Sequence, residues 1–228
     1  MKQIIKNISN KLFRRKRSTI EPHIVETWTN SADYWERRYN TGGNSGIGSY
    51  GRLAVFKAEV LNQFVRENNI NSVIEWGCGD GHQLSLANYP NYIGFDVSLE
   101  AIKICNKKFS EDKLKRFVFC GNTDFYTEEK AELSISLDVI YHLIEDDVYE
   151  NYMKRLFASS FKYVCIYSCN DDDNSNLAIH VRHRIFTDWI ENNIGHKWKL
   201  KSFVKNKYPF DPDEPESSWS DFYFYEAL

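Results

Sequence analysis

The segment best suited to chemistry is a glycine-rich turn between two acidic residues. Apolar residues lead into Glu75, and the turn Gly77–Gly81 follows Trp76. A second apolar segment ends at Asp96, roughly 20 residues after Glu75, which is the spacing of a nucleotide-binding βα unit. Glycines let the backbone turn tightly and approach a ligand, and a carboxylate at the end of the adjacent strand can accept both hydroxyls of a ribose. The pattern predicts a cofactor site formed by Glu75, Gly77, Cys78, Gly79 and Asp96.

Alternating strands and helices must position this turn. Predicted strands cover 72–75, 92–96, 117–120, 133–137, 161–167, 198–204 and 220–226, and predicted helices cover 27–39, 53–68, 83–88, 99–109, 147–158 and 182–193. Such alternation is typical of an α/β protein with a mostly parallel sheet and helices on both faces, and the last two strands predict a terminal antiparallel hairpin. Because ligands bind at the carboxyl ends of strands in open α/β sheets, we expect the site at that edge.

The composition predicts one folded domain preceded by a basic extension. The chain has 228 residues and a net charge of -3, a length that suits a single domain. Residues 1–17 contain seven basic and no acidic residues. We therefore expect an extension at 1–26 able to contact an anionic membrane surface weakly, and a domain at 27–228. The acidic remainder is poorly suited to binding nucleic-acid phosphates.

The location of the protein is predicted from absent signals and from cysteine usage. No apolar run is long enough to span a membrane, and the first residues lack a signal-peptide pattern. Five scattered cysteines without a CxxC pair favour a reduced protein without a zinc site. We expect a cytoplasmic protein, peripheral to the inner membrane at most.

Four motifs together resemble those of the class I S-adenosylmethionine-dependent methyltransferases. Glu75–Gly81 resembles the first motif of that family, and Asp96 resembles the second. Cys120–Asp124 resembles the segment that contacts the adenine, and Leu137–His142 resembles the fourth motif, beside the reacting methyl group. The resemblance covers roughly residues 30–228. It implies a Rossmann-like seven-stranded sheet, S-adenosyl-L-methionine as cofactor, and further cofactor contacts from Tyr34, Trp35, Asn122, Thr123 and Asp138.

Methyl transfer needs little covalent help from a protein, because the sulfonium already makes the methyl group electrophilic. The protein must hold the acceptor in line and exclude water. A neutral hydroxyl acceptor also needs a general base, whereas an anionic phosphoryl oxygen does not. His142 and Tyr141 follow the fourth predicted strand and are the candidate catalytic residues. The alternatives are a packed histidine at a helix start and an ordinary core tyrosine.

Cationic side chains predict how an acceptor is held. Arg52 follows a loop, 41–51, that contains five glycines, while His180, Arg182 and His183 follow the fifth strand. Guanidinium groups bind phosphate at two points, so these residues are predicted to clamp an anion, with surface charge as the alternative. Combined with the aromatic residues before the loop, the pattern resembles small methyltransferases of bacterial surface-polysaccharide clusters, including those for methyl phosphoramidate decoration of capsules. That resemblance implies O-methylation of a small anionic or glycan-linked acceptor.

Other functions stay open at this point. A (D/N)PP(Y/F) motif and a Pro-Cys dipeptide are both absent, which argues against the base-methylating DNA enzymes. The acidic run Asp171–Asp173 could bind a divalent cation, but a solvated loop is favoured and no metal is predicted. The remaining alternatives are a methyltransferase for another small metabolite, a nucleotide-binding oxidoreductase, and an inactive cofactor-binding module.

Overall fold

A seven-stranded sheet forms the centre of the molecule. The computed structural model describes residues 28–122, 125–175 and 177–228. The strands are β1 (Ser72–Trp76), β2 (Asn91–Asp96), β3 (Lys115–Phe119), β4 (Ala131–Leu137), β5 (Ser160–Ser168), β6 (Trp198–Val204) and β7 (Asp221–Ala227). Their order is β3-β2-β1-β4-β5-β7-β6. The first five strands are parallel, and β7 lies antiparallel between β5 and β6. The predicted α/β sheet with a terminal antiparallel hairpin is confirmed.

Helices cover both faces of this sheet. They are α1 (Ser31–Asn40), α2 (Gly51–Glu67), α3 (Leu99–Lys108), α4 (Asp146–Ala158) and α5 (Phe186–Ile194). One apolar core contains residues of α2 and α3, and a second contains residues of α4 and α5. Neighbouring strand residues alternate between the two cores, as Val73 and Ile74 do, because successive side chains of a strand point to opposite faces.

Local signals in the sequence explain where several helices begin. The Asn30 side chain accepts a hydrogen bond from the backbone N–H of Asp33 at 2.8 Å and caps α1. Ser98 caps α3 in the same way through the N–H of Ala101, at 3.1 Å. Such caps satisfy backbone donors that the first helical turn leaves without a partner. Because Ser98 is two residues after Asp96, this cap also places α3 beside the end of β2.

Two predicted helices differ from the structure. Only a short 3-10 turn, Gln83–Leu86, follows the glycine-rich turn, where a longer helix was predicted. Pro90, just before β2, leaves no room for another helical turn. The last helix begins at Phe186 rather than at 182, because residues 182–185 run beside another loop instead.

Some expectations concern residues that the structure does not describe. The basic extension at 1–26 and its weak membrane contact lie outside the described residues, as does Thr123. Within the three described ranges, no helix is both long enough and apolar enough to cross a membrane.

Candidate functional site

A cavity of about 370 Å³ lies at the carboxyl ends of β1, β2 and β4, where the sequence predicted a site. This volume falls in the range of small-molecule sites. Nine of the predicted site residues line it: Trp35, Glu75, Gly77, Cys78, Gly79, Asp96, Asn122, Asp138 and His142. The fold therefore brings together residues from both halves of the chain.

The glycine-rich turn is held against Asp96 by its backbone. The N–H of Gly79 donates to one oxygen of the Asp96 carboxylate, and the N–H of Ser98 donates to the other, both at 2.8 Å. Gly77, Gly79 and Gly81 all have positive φ angles, which other residues adopt only with strain. Burial raises the pKa of Asp96 to about 6 even though these two N–H groups favour its charged form. The carboxylate is thus fixed in place while each oxygen keeps a further lone pair.

Glu75 is the other acidic residue at this end of the cavity. It is 3% exposed, and the Tyr92 hydroxyl donates to its carboxylate at 2.5 Å. Burial raises the pKa of Glu75 to about 7, and the nearby Lys57 ammonium acts in the opposite direction. The Glu75 carboxyl is therefore partly protonated and partly ionised near neutral pH. A cationic ligand group would favour the ionised form.

The loop before α2 closes over the glycine-rich turn. Asp80 accepts hydrogen bonds from the N–H of Ser45 at 2.9 Å and from the Tyr50 hydroxyl at 2.8 Å. In return, the N–H of Asp80 donates to the Ser45 hydroxyl at 3.0 Å. Burial opposes ionisation, but these hydrogen bonds lower the pKa of Asp80 overall. The loop that was expected to approach a ligand is thereby fixed to the glycine-rich turn.

A largely buried ion pair lies at the end of β4, with an Asp138 side chain that is 10% exposed. The Lys57 ammonium on α2 is 2.6 Å from one carboxylate oxygen of Asp138, and the side chain of Lys57 has no exposed surface. The Ser220 hydroxyl donates to the other oxygen at 3.0 Å. Asp138 has a φ of +58°, a left-handed conformation that is uncommon for residues other than glycine. Three distant segments are joined here, so this pair fixes the geometry of the cavity wall.

His142 lies on a short 3-10 turn after β4, with its ring in the cavity wall. Its Nδ1 is 2.8 Å from the carbonyl oxygen of His180. The rings of Trp35 and His180 pack against it at centroid distances of 4.9 and 5.3 Å. Burial lowers the pKa of His142 to about 4, so the imidazole is neutral at physiological pH.

Two of the predicted aromatic residues stand behind this wall. Tyr34 is not among the cavity residues; it stacks on the His180 ring at 4.4 Å. Tyr141 also lies outside the wall and packs against His142, with ring centroids 4.5 Å apart. Burial, followed by the charge of Asp138, raises the pKa of Tyr141, so its hydroxyl stays protonated. Both residues contact His142 or its neighbour His180 rather than the cavity.

The predicted anion clamp is not assembled at the cavity. Arg52 donates to the carbonyl of Glu216 and pairs with Glu214 on the loop before β7. Arg182 donates to the carbonyl of Ile144, and His183 is buried beside Cys169. His180 contributes its backbone carbonyl to His142. These side chains bind other groups of the protein, so the expected clamp does not form at the cavity.

The structure adds site residues that the sequence reasoning missed: Tyr39, Ser45, Lys57, Asp80 and Gln83 line the cavity as well. For Lys57 a signal existed, since Leu53, Lys57 and Leu61 share one face of α2 and a lysine on an apolar face is unusual. For Ser45 no local signal existed, because its partner Asp80 is 35 residues away. In the described ranges, no three His, Cys, Asp or Glu side chains are grouped to hold a metal ion.

Comparison with solved structures shows which fold this is. A magnesium protoporphyrin IX methyltransferase from Synechocystis PCC 6803, solved with bound S-adenosylmethionine, superposes with a TM-score of 0.64 at 13% identity, covering 89% of this chain and all of that one. The N-methyltransferase NodS from Bradyrhizobium japonicum WM9, in complex with S-adenosylhomocysteine, also superposes with a TM-score of 0.64. Its sequence identity is 15%, and the match covers 87% of this chain and 99% of that one. The methyltransferase domain of a bacterial Hen1 protein superposes with a TM-score of 0.59 at 18% identity, and the match covers 75% of this chain and 97% of that one. The chain has the class I S-adenosylmethionine-dependent methyltransferase fold.

Sequence comparison gives a weaker likeness. No protein-family model matches the chain. A tRNA (carboxymethyluridine(34)-5-O)-methyltransferase from Arabidopsis thaliana is 28% identical over 110 residues. The match covers 46% of this chain and 26% of that protein, so the chain spans about a quarter of this relative's length.

Proposed function

We propose that the protein is an S-adenosylmethionine-dependent methyltransferase. The observation that carries this proposal is the cavity at the strand ends, where Glu75, the glycine-rich turn and Asp96 meet. The proposal is also supported by structural neighbours that were solved with S-adenosylmethionine or S-adenosylhomocysteine. A nucleotide-binding oxidoreductase is less favoured, because the turn lacks the GxGxxG pattern.

The described residues suit such a cofactor. Gln83 lies in the cavity wall, and its Oε1 is buried without a hydrogen-bond partner, which costs free energy until a donor arrives. Together with Glu75 it offers acceptors to a ligand ammonium. In this proposal Asp96 accepts the ribose hydroxyls and Asn122 contacts the adenine, since both residues line the cavity. These roles extend the predicted cofactor contacts and add Gln83 to them.

The chemistry supplied by the bound cofactor is an electrophilic methyl group on sulfonium. The residues of this chain hold the acceptor in line with it and keep water out. Trp35 and Leu143 supply apolar surface around His142. The neutral His142 ring is placed to orient an acceptor and to take its proton. We therefore propose transfer to oxygen, with His142 as the catalytic residue.

Several acceptors deserve assay. The predicted small anionic or glycan-linked acceptor of surface-polysaccharide synthesis is one, although no clamp of arginines lines the cavity. The relative from Arabidopsis thaliana acts on tRNA by its name, which runs against the expectation of no nucleic-acid partner. We favour a small-molecule acceptor, since the chain outside the undescribed N-terminal segment is acidic.

The test has two parts. Calorimetry measures binding of S-adenosylhomocysteine to the full chain, and turnover of methyl-labelled S-adenosylmethionine is then followed with free sugars, sugar phosphates, carboxylic acids and tRNA. Cofactor binding with transfer to one of these classes is the expected result. Absence of S-adenosylhomocysteine binding at millimolar concentration would reject the proposal, and binding without transfer to any class would leave the inactive module as the better description.

A further inference from the structure

The segment from His180 to Arg184 lies against the turn that carries His142. The N–H of Arg182 donates to the carbonyl of Tyr141 at 2.7 Å, and the carbonyl of His180 is 2.8 Å from Nδ1 of His142. Tyr34 on α1 stacks on the His180 ring from the other side. The position of the His142 ring is therefore set by a segment that follows it by 38 residues.

Two arginines of this segment hold the residues just after His142. Arg184 donates to the carbonyls of Leu143 and Ile144, at 2.6 and 2.9 Å. Arg182 donates to the carbonyl of Ile144 at 2.8 Å, and both guanidinium groups pair with Asp146. A guanidinium is a planar fork with fixed donor directions, so several bonds to neighbouring carbonyls restrict how the turn can move.

The His180 carbonyl decides which nitrogen of His142 carries the proton. A carbonyl oxygen only accepts hydrogen bonds, so Nδ1 must be the donor. In the neutral ring the lone pair then lies on Nε2. A lone pair can receive the proton of a hydroxyl group, but it repels an anionic oxygen.

The charges around the cavity also disfavour an anion. Among the described residues, the cationic side chains in the wall are Lys57 and Arg155. Lys57 is paired with Asp138, and Arg155 donates to the carbonyl of Phe125 at 3.0 Å. The same wall contains five acidic side chains: Glu75, Asp80, Asp96, Asp138 and Asp147. An anionic acceptor would enter an acidic cavity whose cations are already engaged.

We propose that the methyl acceptor is an uncharged hydroxyl group that donates to Nε2 of His142, and that Arg182 and Arg184 are positioning residues which fix this state of the ring. The inference rests on the proposed methyltransferase function. The acceptor oxygen forms the new bond to the methyl carbon, and its proton moves to Nε2. The electron pair of the broken carbon–sulfur bond stays on sulfur, which leaves as a neutral thioether.

Nitrogen NMR of the full chain with ¹⁵N-labelled histidine tests the positioning role, because ring shifts distinguish the two neutral tautomers. We expect His142 in the wild type to carry its proton on Nδ1. Arg182→Ala and Arg184→Ala should each add a second population with the proton on Nε2, and Arg184→Lys should restore part of the original signal. The matched control is Arg116→Ala, which removes an exposed ion pair with Glu129 and should leave the signal unchanged.

Two NMR results would overturn the positioning role. One is a wild-type ring with its proton on Nε2. The other is an unchanged His142 spectrum in the folded Arg182→Ala variant, whose partly exposed side chain makes loss of folding a smaller concern than at Arg184.

The acceptor class is tested with paired probes, methyl glucosides and their phosphate esters, in the labelled turnover assay. Transfer to a hydroxyl of the neutral member, lowered by about a hundredfold or more in His142→Gln, is the expected result. Transfer to phosphate oxygen, or to neither member by a chain that binds S-adenosylhomocysteine, contradicts the hydroxyl class. Failure to bind S-adenosylhomocysteine would instead count against the proposed function itself.

Discussion

The two ends of the cavity are built in different ways. At the proposed cofactor end, Glu75, the glycine-rich turn and Asp96 lie close in sequence, and the hydrogen bond between Gly79 and Asp96 joins residues 17 apart. At the acceptor end, Lys57 and Asp138 are 81 residues apart, and Ser31 on α1 bonds to Glu145 across 114 residues. Neighbouring parallel strands bring these three features of the first end together, and the loop that carries Ser45 then folds against Asp80. The second end needs the whole chain to have folded.

The energetics of the two ends differ accordingly. The cofactor end depends on backbone conformation, with three glycines at positive φ and N–H groups that donate to Asp96. The acceptor end depends on charged side chains that bind backbone carbonyls or each other. We therefore expect substitutions at the first end to affect ligand binding, and substitutions at the second end to affect stability or the state of His142.

The largest effect on binding is expected from Gly79→Val. A Cβ at Gly79 would lie 2.4 Å from the Ser45 hydroxyl oxygen and 2.9 Å from that of Tyr39, at a φ of +55°. Strain and overlap of about 1–3 kcal/mol each should lower the affinity for S-adenosylhomocysteine by about a hundredfold or more in calorimetry. The control is Gly42→Val, which has a positive φ but open space around it. Equal losses in the two variants would show that contact with Ser45 and Tyr39 is not the cause.

Lys57→Met should have the largest effect on stability at the acceptor end. The substitution leaves the largely buried Asp138 carboxylate without its cation, and breaking a buried pair destabilises folded proteins by about 3–5 kcal/mol. Urea unfolding measures this change. Adding Asp138→Asn removes the remaining charge and should recover part of the loss. A single variant as stable as the wild type would mean that the pair contributes nothing to holding the wall.

Asp96→Ala should weaken binding of S-adenosylhomocysteine by about 1.5–3 kcal/mol, the range for a hydrogen bond to a charged group. That corresponds to roughly 10–100-fold in Kd from calorimetry. The control is Asp172→Ala, an exposed acidic residue outside the cavity wall. An unchanged Kd would remove Asp96 from the ribose role and weaken the distinction between the two ends.

The smallest effect is a pH dependence at the cofactor end. Burial raises the pKa of Glu75 to about 7 and that of Asp96 to about 6. A cationic amino group and ribose hydroxyls favour the ionised carboxylates, so acid competes with the ligand. The affinity for S-adenosylhomocysteine should fall as the pH drops from 8 through 7 and 6, by about tenfold per unit between the two pKa values, where one proton is linked, and more steeply below both. Glu75→Gln should remove the loss of affinity near pH 7. A pH profile identical to that of the wild type would exclude Glu75 as the source of that loss.

Much of the fold was predictable because its signals are local. The spacing of apolar segments indicates all seven strands and predicts the antiparallel pairing of the last two. The errors fell where tertiary contacts outweigh local preference. Residues 182–185 look helical by composition, but they form no helix, because Arg182 and Arg184 bind the carbonyls after His142.

The sequence by itself determined the positions of Glu75, the glycine-rich turn and Asp96, since glycines at fixed spacing and an acid at the end of the next strand leave few conformations that satisfy both. Only the tertiary structure decided the acceptor end. Arginines expected to bind an anion instead bind backbone carbonyls, and a lysine inside an ordinary amphipathic helix becomes the buried partner of Asp138. The physical reason is that the partner of a charged side chain depends on distances in the folded chain, and residue type and spacing do not contain those distances.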